Sequence, residues 1–133
     1  MKATELKEVL KEGKGITISY LHINNKTSKV ANMDFGQSIE PSGEYMTEND
    51  GKYKIDDPSF IYGNITFNNP LVVEFISTDS YGWKLTLSNM FKGKKKKVLS
   101  NAIIKAGYDA IITIDSQENE LKEIVNLKGI KTI

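Results

Sequence analysis

The order of apolar and polar positions predicts three helices along the chain. Apolar residues recur at the i, i+3 and i+4 spacing of a helical face over 4–12, which predicts a first helix there. The same period runs over 98–106 and stops at Gly107, a residue type that commonly follows a helix end. The stretch 83–91 predicts a third, shorter helix.

Runs of β-branched and aromatic residues predict the strands. In 16–23 the side chains of Ile16, Ile18 and Tyr20 fall on one face, and His22 continues that alternation. The other predicted strands are 43–47, 60–67, 71–76, 109–115 and 121–127, with an extended piece at 130–133. The island 43–47 stands alone within 24–59, a stretch dominated by residues typical of loops.

Together these elements predict the α+β class in a single domain covering 1–133. The helices fall at the start and in one later block, which argues against the regular alternation of a doubly wound parallel sheet. The nearly continuous apolar run 71–76 predicts a central strand covered on both faces.

Composition limits the classes of partner. Apolar residues make up 39% of the chain, and 18 Lys and Arg balance 17 Asp and Glu, so net charge indicates neither a nucleic-acid nor a membrane partner. The N-terminus lacks a signal-peptide pattern and no apolar run is long enough for a membrane span, so we expect a cytoplasmic protein without a membrane partner. The local run Lys94–Lys97 is either a solvated helix start or an anion patch.

The inventory of reactive side chains excludes several chemistries. The chain has no cysteine and one histidine, so it lacks the ligands of a zinc site, and we expect no metal. Neither a Gly-x-Ser-x-Gly elbow nor a phosphate-binding loop is present. The remaining candidates are His22, Tyr45, Thr47, Glu120 and Glu123. Each also has a simpler interpretation as a packed histidine, a packed strand residue or a solvated carboxylate.

Three of these residues stand in an order that resembles a known family. His22 near the end of the first strand, the island Gly43-Glu44-Tyr45-Met46-Thr47 and Glu123 at the start of a late strand resemble the His–Tyr–Glu pattern of ADP-ribosyltransferases. Two further elements are similar to the small phage and polymorphic-toxin members of that superfamily: Asn68-Asn69-Pro70 between two apolar strands, and Gly107-Tyr108-Asp109-Ala110-Ile111-Ile112.

The resemblance implies a fold of split, mostly antiparallel β-sheets with a few helices around a central cleft. It also implies NAD as the substrate, with Glu123 stabilising the oxocarbenium-like state as the bond between nicotinamide and ribose breaks. In the same scheme His22 binds the adenosine-side ribose, Tyr45 stacks on nicotinamide and Thr47 supports the pocket wall. Glu120 orients the nucleophile of a protein or nucleic-acid acceptor.

Two alternatives stay open from the sequence. One is a non-catalytic member of the same fold that binds a partner, such as a phage-encoded inhibitor. The other is a nucleic-acid-binding module that uses Lys94–Lys97, although this run lacks the interleaved aromatic residues of a single-strand binder.

Overall fold

The structure is a computed structural model that describes residues 1–13, 15–23, 39–49, 60–76 and 82–129. Its elements, in chain order, are α1 (Ala3–Lys11), β1 (Ile16–Ile23), β2 (Glu44–Glu48), β3 (Phe60–Phe67), β4 (Pro70–Phe75), α2 (Trp83–Met90), α3 (Lys96–Lys105), β5 (Ala110–Asp115) and β6 (Glu120–Asn126). The predicted α+β class is confirmed, with boundaries that differ from the predicted ones by one or two residues. The extended piece predicted at 130–133 lies outside the described residues.

The strands form one sheet in the order β3-β1-β2-β6-β5-β4. Neighbouring strands are antiparallel except β4 and β5, which are parallel. A parallel pair needs a long crossover connection, and here α2 and α3 lie in the connection between β4 and β5. The sheet is therefore mixed, with one βαβ unit at its end.

This single sheet replaces the predicted pair of split sheets in the described part of the chain. The short strand β2 joins the two groups of strands. On one side it pairs with β6 from Glu44 to Thr47, and on the other it pairs with β1 only at Tyr20–Glu48 and Leu21–Thr47. These pairings join residues that are far apart in sequence. Local patterns therefore indicate each strand but not which strands pair with one another.

The prediction of a central position for the fourth strand is also wrong. Among the described strands, β4 lies at the end of the sheet, and its Glu74 is exposed and forms an ion pair with Lys7 of α1. The strand covered on both faces is β5, in which all six residues are buried. Both strands are apolar runs, so composition alone does not separate a covered strand from its neighbour.

Two core clusters lie against the sheet. The α1 cluster contains Ala3 and Leu6 of α1 with Ile18, Phe67 and Ile112 of the strands. The other cluster, here called the α2/α3 cluster, contains Leu71, Val73, Trp83, Leu87, Leu99, Ile103, Ile111, Val125 and Leu127, with Tyr45 packed against it. Adjacent residues Ile111 and Ile112 of β5 belong to different clusters, which is the alternation expected for a strand buried on both faces.

The two short motifs that carried part of the resemblance bind each other. The carboxylate of Asp109 accepts hydrogen bonds from the main-chain N–H groups of Asn68 at 2.7 Å and Asn69 at 3.1 Å. In return, the Asn69 side-chain amide donates to the carbonyl oxygen of Gly107 at 2.9 Å. These contacts fix the turn between β3 and β4 against the start of β5, so both motifs have a structural role.

Asp109→Ala should therefore lower the free energy of unfolding by roughly 1–3 kcal/mol, because two main-chain donors lose a charged acceptor. Chemical denaturation measures this loss. The control is Glu118→Ala, which removes an exposed carboxylate paired with Lys122 and should change stability by less than about 1 kcal/mol. Equal losses in the two variants would contradict the structural role of Asp109.

Candidate active site

The pairing of β2 with β6 brings three of the predicted site residues onto one face of the sheet. Thr47 lies directly opposite Glu123, and Tyr45 lies opposite Val125 two residues along. Directly opposed residues of an antiparallel pair point to the same face, and so do residues two apart on one strand. Tyr45, Thr47 and Glu123 therefore share the face that carries the α2/α3 cluster.

A bulge in the pairing of β5 with β6 holds the main chain of Glu123. The register shifts between Ile112 and Ile114, and the hydroxyl of the intervening Thr113 makes two hydrogen bonds to Glu123. It donates to the Glu123 carbonyl oxygen at 2.8 Å and accepts from the Glu123 N–H at 2.8 Å. Bulges redirect the side chain of the residue that they contain. Thr113 thus fixes the backbone from which the carboxylate projects.

The Glu123 carboxylate is largely buried and only partly satisfied. Among the described residues, its Oε2 atom is buried without a hydrogen-bond partner. Burial raises the pKa of Glu123 above its ordinary value, and the charge of Glu40 adds to this rise. The charge of Lys84 and a hydrogen bond from the Trp83 side chain act in the opposite direction and lower the pKa. Since indole N–H can only donate, Trp83 stabilises the ionised carboxylate.

Tyr45 completes an aromatic pair beside this carboxylate. Its ring centroid lies 6.3 Å from that of Trp83 with an interplanar angle of 31°. Its hydroxyl donates to the carbonyl oxygen of Pro41 at 2.6 Å. Burial raises the pKa of Tyr45 well above its usual range, helped by the charges of Glu40 and Glu123. The phenol is therefore neutral and held in place through its own hydrogen bond.

An ion pair between Lys84 and Glu40 completes this group of side chains. The group consists of Glu40, Tyr45, Trp83, Lys84 and Glu123. Lys84 Nζ lies 2.9 Å from Glu40 Oε2, and only 12% and 27% of the two side chains are exposed. The same ammonium lies 5.8 Å from the Trp83 ring centroid, within cation–π range. With Glu123, the group holds two carboxylates and one ammonium. Its net charge is negative when all three are ionised.

His22 reaches this group through the main chain of β2. The pairing of β1 with β2 ends at Leu21 and Thr47, and beyond it His22 Nδ1 lies 2.6 Å from the Tyr45 carbonyl oxygen. A carbonyl oxygen only accepts, so Nδ1 carries the proton and Nε2 is the acceptor of the neutral ring. Strand alternation places His22 on the same face of β1 as Ile18 and Tyr20, which lie in or against the α1 cluster. Tyr45, Thr47 and Glu123 lie on the face of the α2/α3 cluster, so the prediction that the His22 side chain joins them in one pocket is wrong. The hydrogen bond is to the backbone, not to a side chain of the group.

Glu120 stands apart from Glu123. It opens β6 opposite Asp115, and its carboxylate pairs with Lys2 at 3.6 Å and Lys122 at 3.4 Å. Glu120 lies three positions before Glu123, a separation of about 10 Å along a strand. Its role in orienting an acceptor stays a prediction.

The sequence did not identify Glu40, Trp83 or Lys84. Trp83 is the single tryptophan of the chain and stands next to Lys84 at the start of a predicted helix, which is a weak signal of a special position. Glu40 precedes the island 43–47 within a stretch interpreted as loop. These residues join Glu123 only through tertiary packing, which no local spacing reports.

No protein-family model, curated protein or solved structure matches this chain. Within the described residues, no helix combines the length and apolar character that crossing a membrane requires. The same residues contain no group of three acidic or histidine side chains arranged to hold a metal ion. The site must therefore be interpreted from its own geometry.

Proposed function

We propose that this chain is an NAD-dependent ADP-ribosyltransferase in which Glu123 stabilises the oxocarbenium-like transition state. The observation that carries the proposal is the buried Glu123 carboxylate with one oxygen lacking a partner among the described residues. A buried acceptor left in this way costs roughly 1–3 kcal/mol, and functional sites are where such costs are tolerated. A ribose hydroxyl of NAD would supply the missing donor.

The charges around Glu123 suit the proposed reaction. Positive charge develops on the ribose as nicotinamide leaves, and a fixed negative site of low polarity stabilises it most effectively. Lys84 alone would oppose that charge, but its ion pair with Glu40 leaves the group with a net negative charge when Glu123 is ionised. This residual negative charge supports the proposal, because the reaction needs negative charge close to the ribose.

The aromatic pair and the neighbouring residues supply the rest of the proposed NAD site. Tyr45 would stack on nicotinamide from a ring already oriented by Pro41 and Trp83. Thr47 lies opposite Glu123 and would form the adjacent wall. His22 lies on the other face of the sheet and contacts Tyr45 only through its main-chain carbonyl oxygen, so its role at the adenosine-side ribose stays a prediction that this arrangement does not support. The acceptor of the ADP-ribose group would be a protein or a nucleic acid.

The direct test incubates the protein with labelled NAD+ and a cell lysate. We expect nicotinamide release together with label on a macromolecule, and neither with Glu123→Gln. Nicotinamide release without labelling would indicate an NAD hydrolase that uses the same carboxylate. Absence of both NAD binding and NAD cleavage in the wild-type protein would reject the enzymatic proposal.

A second candidate is a non-catalytic protein of the same fold that binds a partner. It is favoured by the position of Trp83, whose hydrogen bond already engages the Glu123 carboxylate that NAD would have to reach. This candidate predicts that wild-type protein does not bind NAD+, which calorimetry with NAD+ alone decides.

Tyr45→Ala should weaken NAD+ binding through loss of stacking worth about 0.5–1.5 kcal/mol beyond burial, or roughly 2–13-fold in Kd. Calorimetric titration measures the change. The matched control is Tyr62→Ala, which removes a tyrosine that is 57% exposed on β3. If both variants bind NAD+ as the wild type does, Tyr45 does not contact the nicotinamide.

A further inference from the structure

A cavity of about 390 Å³ lies at the end of β2 and β6 away from Thr47 and Glu123. Its lining includes Ser42, Gly43, Glu44, Lys97, Asn126 and Lys128. The volume falls within the range of about 300–1,000 Å³ that is typical of sites for small organic ligands. It is large enough for one nucleotide unit.

Specific contacts fix the walls of this cavity. The first residues of β2 pair with the last residues of β6 through Glu44 and Asn126. The Ser100 hydroxyl of α3 donates to the Ser42 carbonyl oxygen at 2.6 Å, which holds the helix against β2. Lys128, which also lines the cavity, donates from Nζ to the Thr66 carbonyl oxygen at 2.9 Å. The two lysines therefore come from separately anchored segments.

The cavity adjoins a surface rich in positive charge. We call Lys92, Lys94, Lys95, Lys96, Lys97 and Lys128 the basic surface. All are exposed except Lys94, which is half-buried. Within the described residues, Lys92, Lys95 and Lys97 have no carboxylate within 4.0 Å. The first turn of α3 also contains no acidic residue.

The positive charge of the lysines at the start of α3 does not stabilise that helix. The first turn of a helix favours anions and disfavours cations, yet Lys96 and Lys97 occupy it. The positive charges at the start of α3 therefore interact unfavourably with the helix dipole. A bound anion would relieve that repulsion.

We propose that the basic surface binds the phosphodiester backbone of a nucleic-acid strand, with one phosphate in the cavity beside Lys97 and Lys128. A single phosphate beside Lys97 would leave Lys92 and Lys95 uncompensated, whereas a strand supplies one negative charge about every 3.4 Å. Phe91, the aromatic residue next to the run, packs against the α2/α3 cluster. Binding is therefore through phosphate and independent of base sequence. It requires no NAD and stands apart from the enzymatic proposal.

The test is fluorescence anisotropy with a labelled single-stranded DNA of about 16 nucleotides, the upper end of known site sizes, titrated at several salt concentrations. We expect binding at low salt for the wild type. In the double variant Lys97→Gln, Lys128→Gln the slope of log K against log salt should shrink by about 0.7, since the two lysines share one phosphate and each phosphate contact contributes roughly 0.7. Glu44→Gln should raise the affinity because it removes a carboxylate from the cavity wall.

The matched control is the double variant Lys11→Gln, Lys105→Gln, which removes the same charge from exposed ends of α1 and α3. Thermal unfolding checks that both double variants are folded. An equal change in slope for the two double variants would overturn the proposal. So would equally strong competition by polyglutamate of matched charge, which indicates an acidic protein, or binding of inorganic phosphate without binding of the oligonucleotide.

Discussion

Glu123→Gln should lower the rate of nicotinamide release from NAD+ by about 10²–10³-fold, the loss typical of removing one transition-state stabilising group. Gln keeps the size of the side chain and an acceptor for Trp83. It removes the negative charge that stabilises the developing oxocarbenium ion. Because that charge acts mainly in the transition state, the Kd of NAD+ should change little. Single-turnover nicotinamide release and calorimetry measure the two quantities.

The same substitution should stabilise the folded protein at neutral pH by about 1 kcal/mol, since a partly satisfied buried charge is removed. The pKa of Glu123 is raised on folding, so its contribution to stability is fully present below the ordinary value of 4.5 and is lost as pH rises through the raised value. The stability difference between variant and wild type should therefore shrink in acid. Chemical denaturation at several pH values measures it.

Glu120→Gln is the matched control for this carboxylate. Its ion pairs with Lys2 and Lys122 lie at the far end of β6, so nicotinamide release should be close to wild type. Transfer to an acceptor should fall if Glu120 positions the nucleophile. A wild-type rate in Glu123→Gln would mean that another carboxylate carries the reaction.

Local sequence patterns predicted the elements but not their arrangement. The helical period located α3, and alternation located β1, because each signal comes from neighbours along the chain. The placement of β4 at the end of the sheet and of β5 between β6 and β4 depends on pairing between distant residues. An apolar run looks the same in either position, so the prediction for 71–76 was wrong.

In the candidate site, too, the sequence indicated individual residues but not how they are arranged. Thr47 and Glu123 are 76 residues apart and became opposed through the pairing of β2 with β6. Order in the sequence suggested that they belong together but gave no reason why Glu123 is buried. The face on which Glu123 lies is covered by the α2/α3 cluster, which includes Trp83 of α2. For Asp109 the sequence suggested too much. Its motif formed part of the resemblance to a family of enzymes, but its contacts are those of a structural turn.

Trp83→Phe should destabilise the folded protein by more than packing alone explains. It removes the indole N–H, whose hydrogen bond to the Glu123 carboxylate favours the ionised form, so this loss adds to the lost packing. The pKa of Glu123 should rise further, because that hydrogen bond lowers it in the wild type. If turnover needs ionised Glu123, the acid limb of the pH–rate profile should move to higher pH.

A double-mutant cycle separates the hydrogen bond from the lost packing. Trp83→Phe changes the contacts with Tyr45 and Lys84 equally in the wild-type and Glu123→Gln backgrounds, so those terms cancel in the coupling energy. We expect a favourable coupling at neutral pH, because a charged acceptor is replaced by a neutral one. The coupling should fall as pH drops and Glu123 takes up a proton. A coupling near zero at every pH would mean that Trp83 only covers the carboxylate, and the raised pKa would then be due to burial and Glu40 without opposition from the indole.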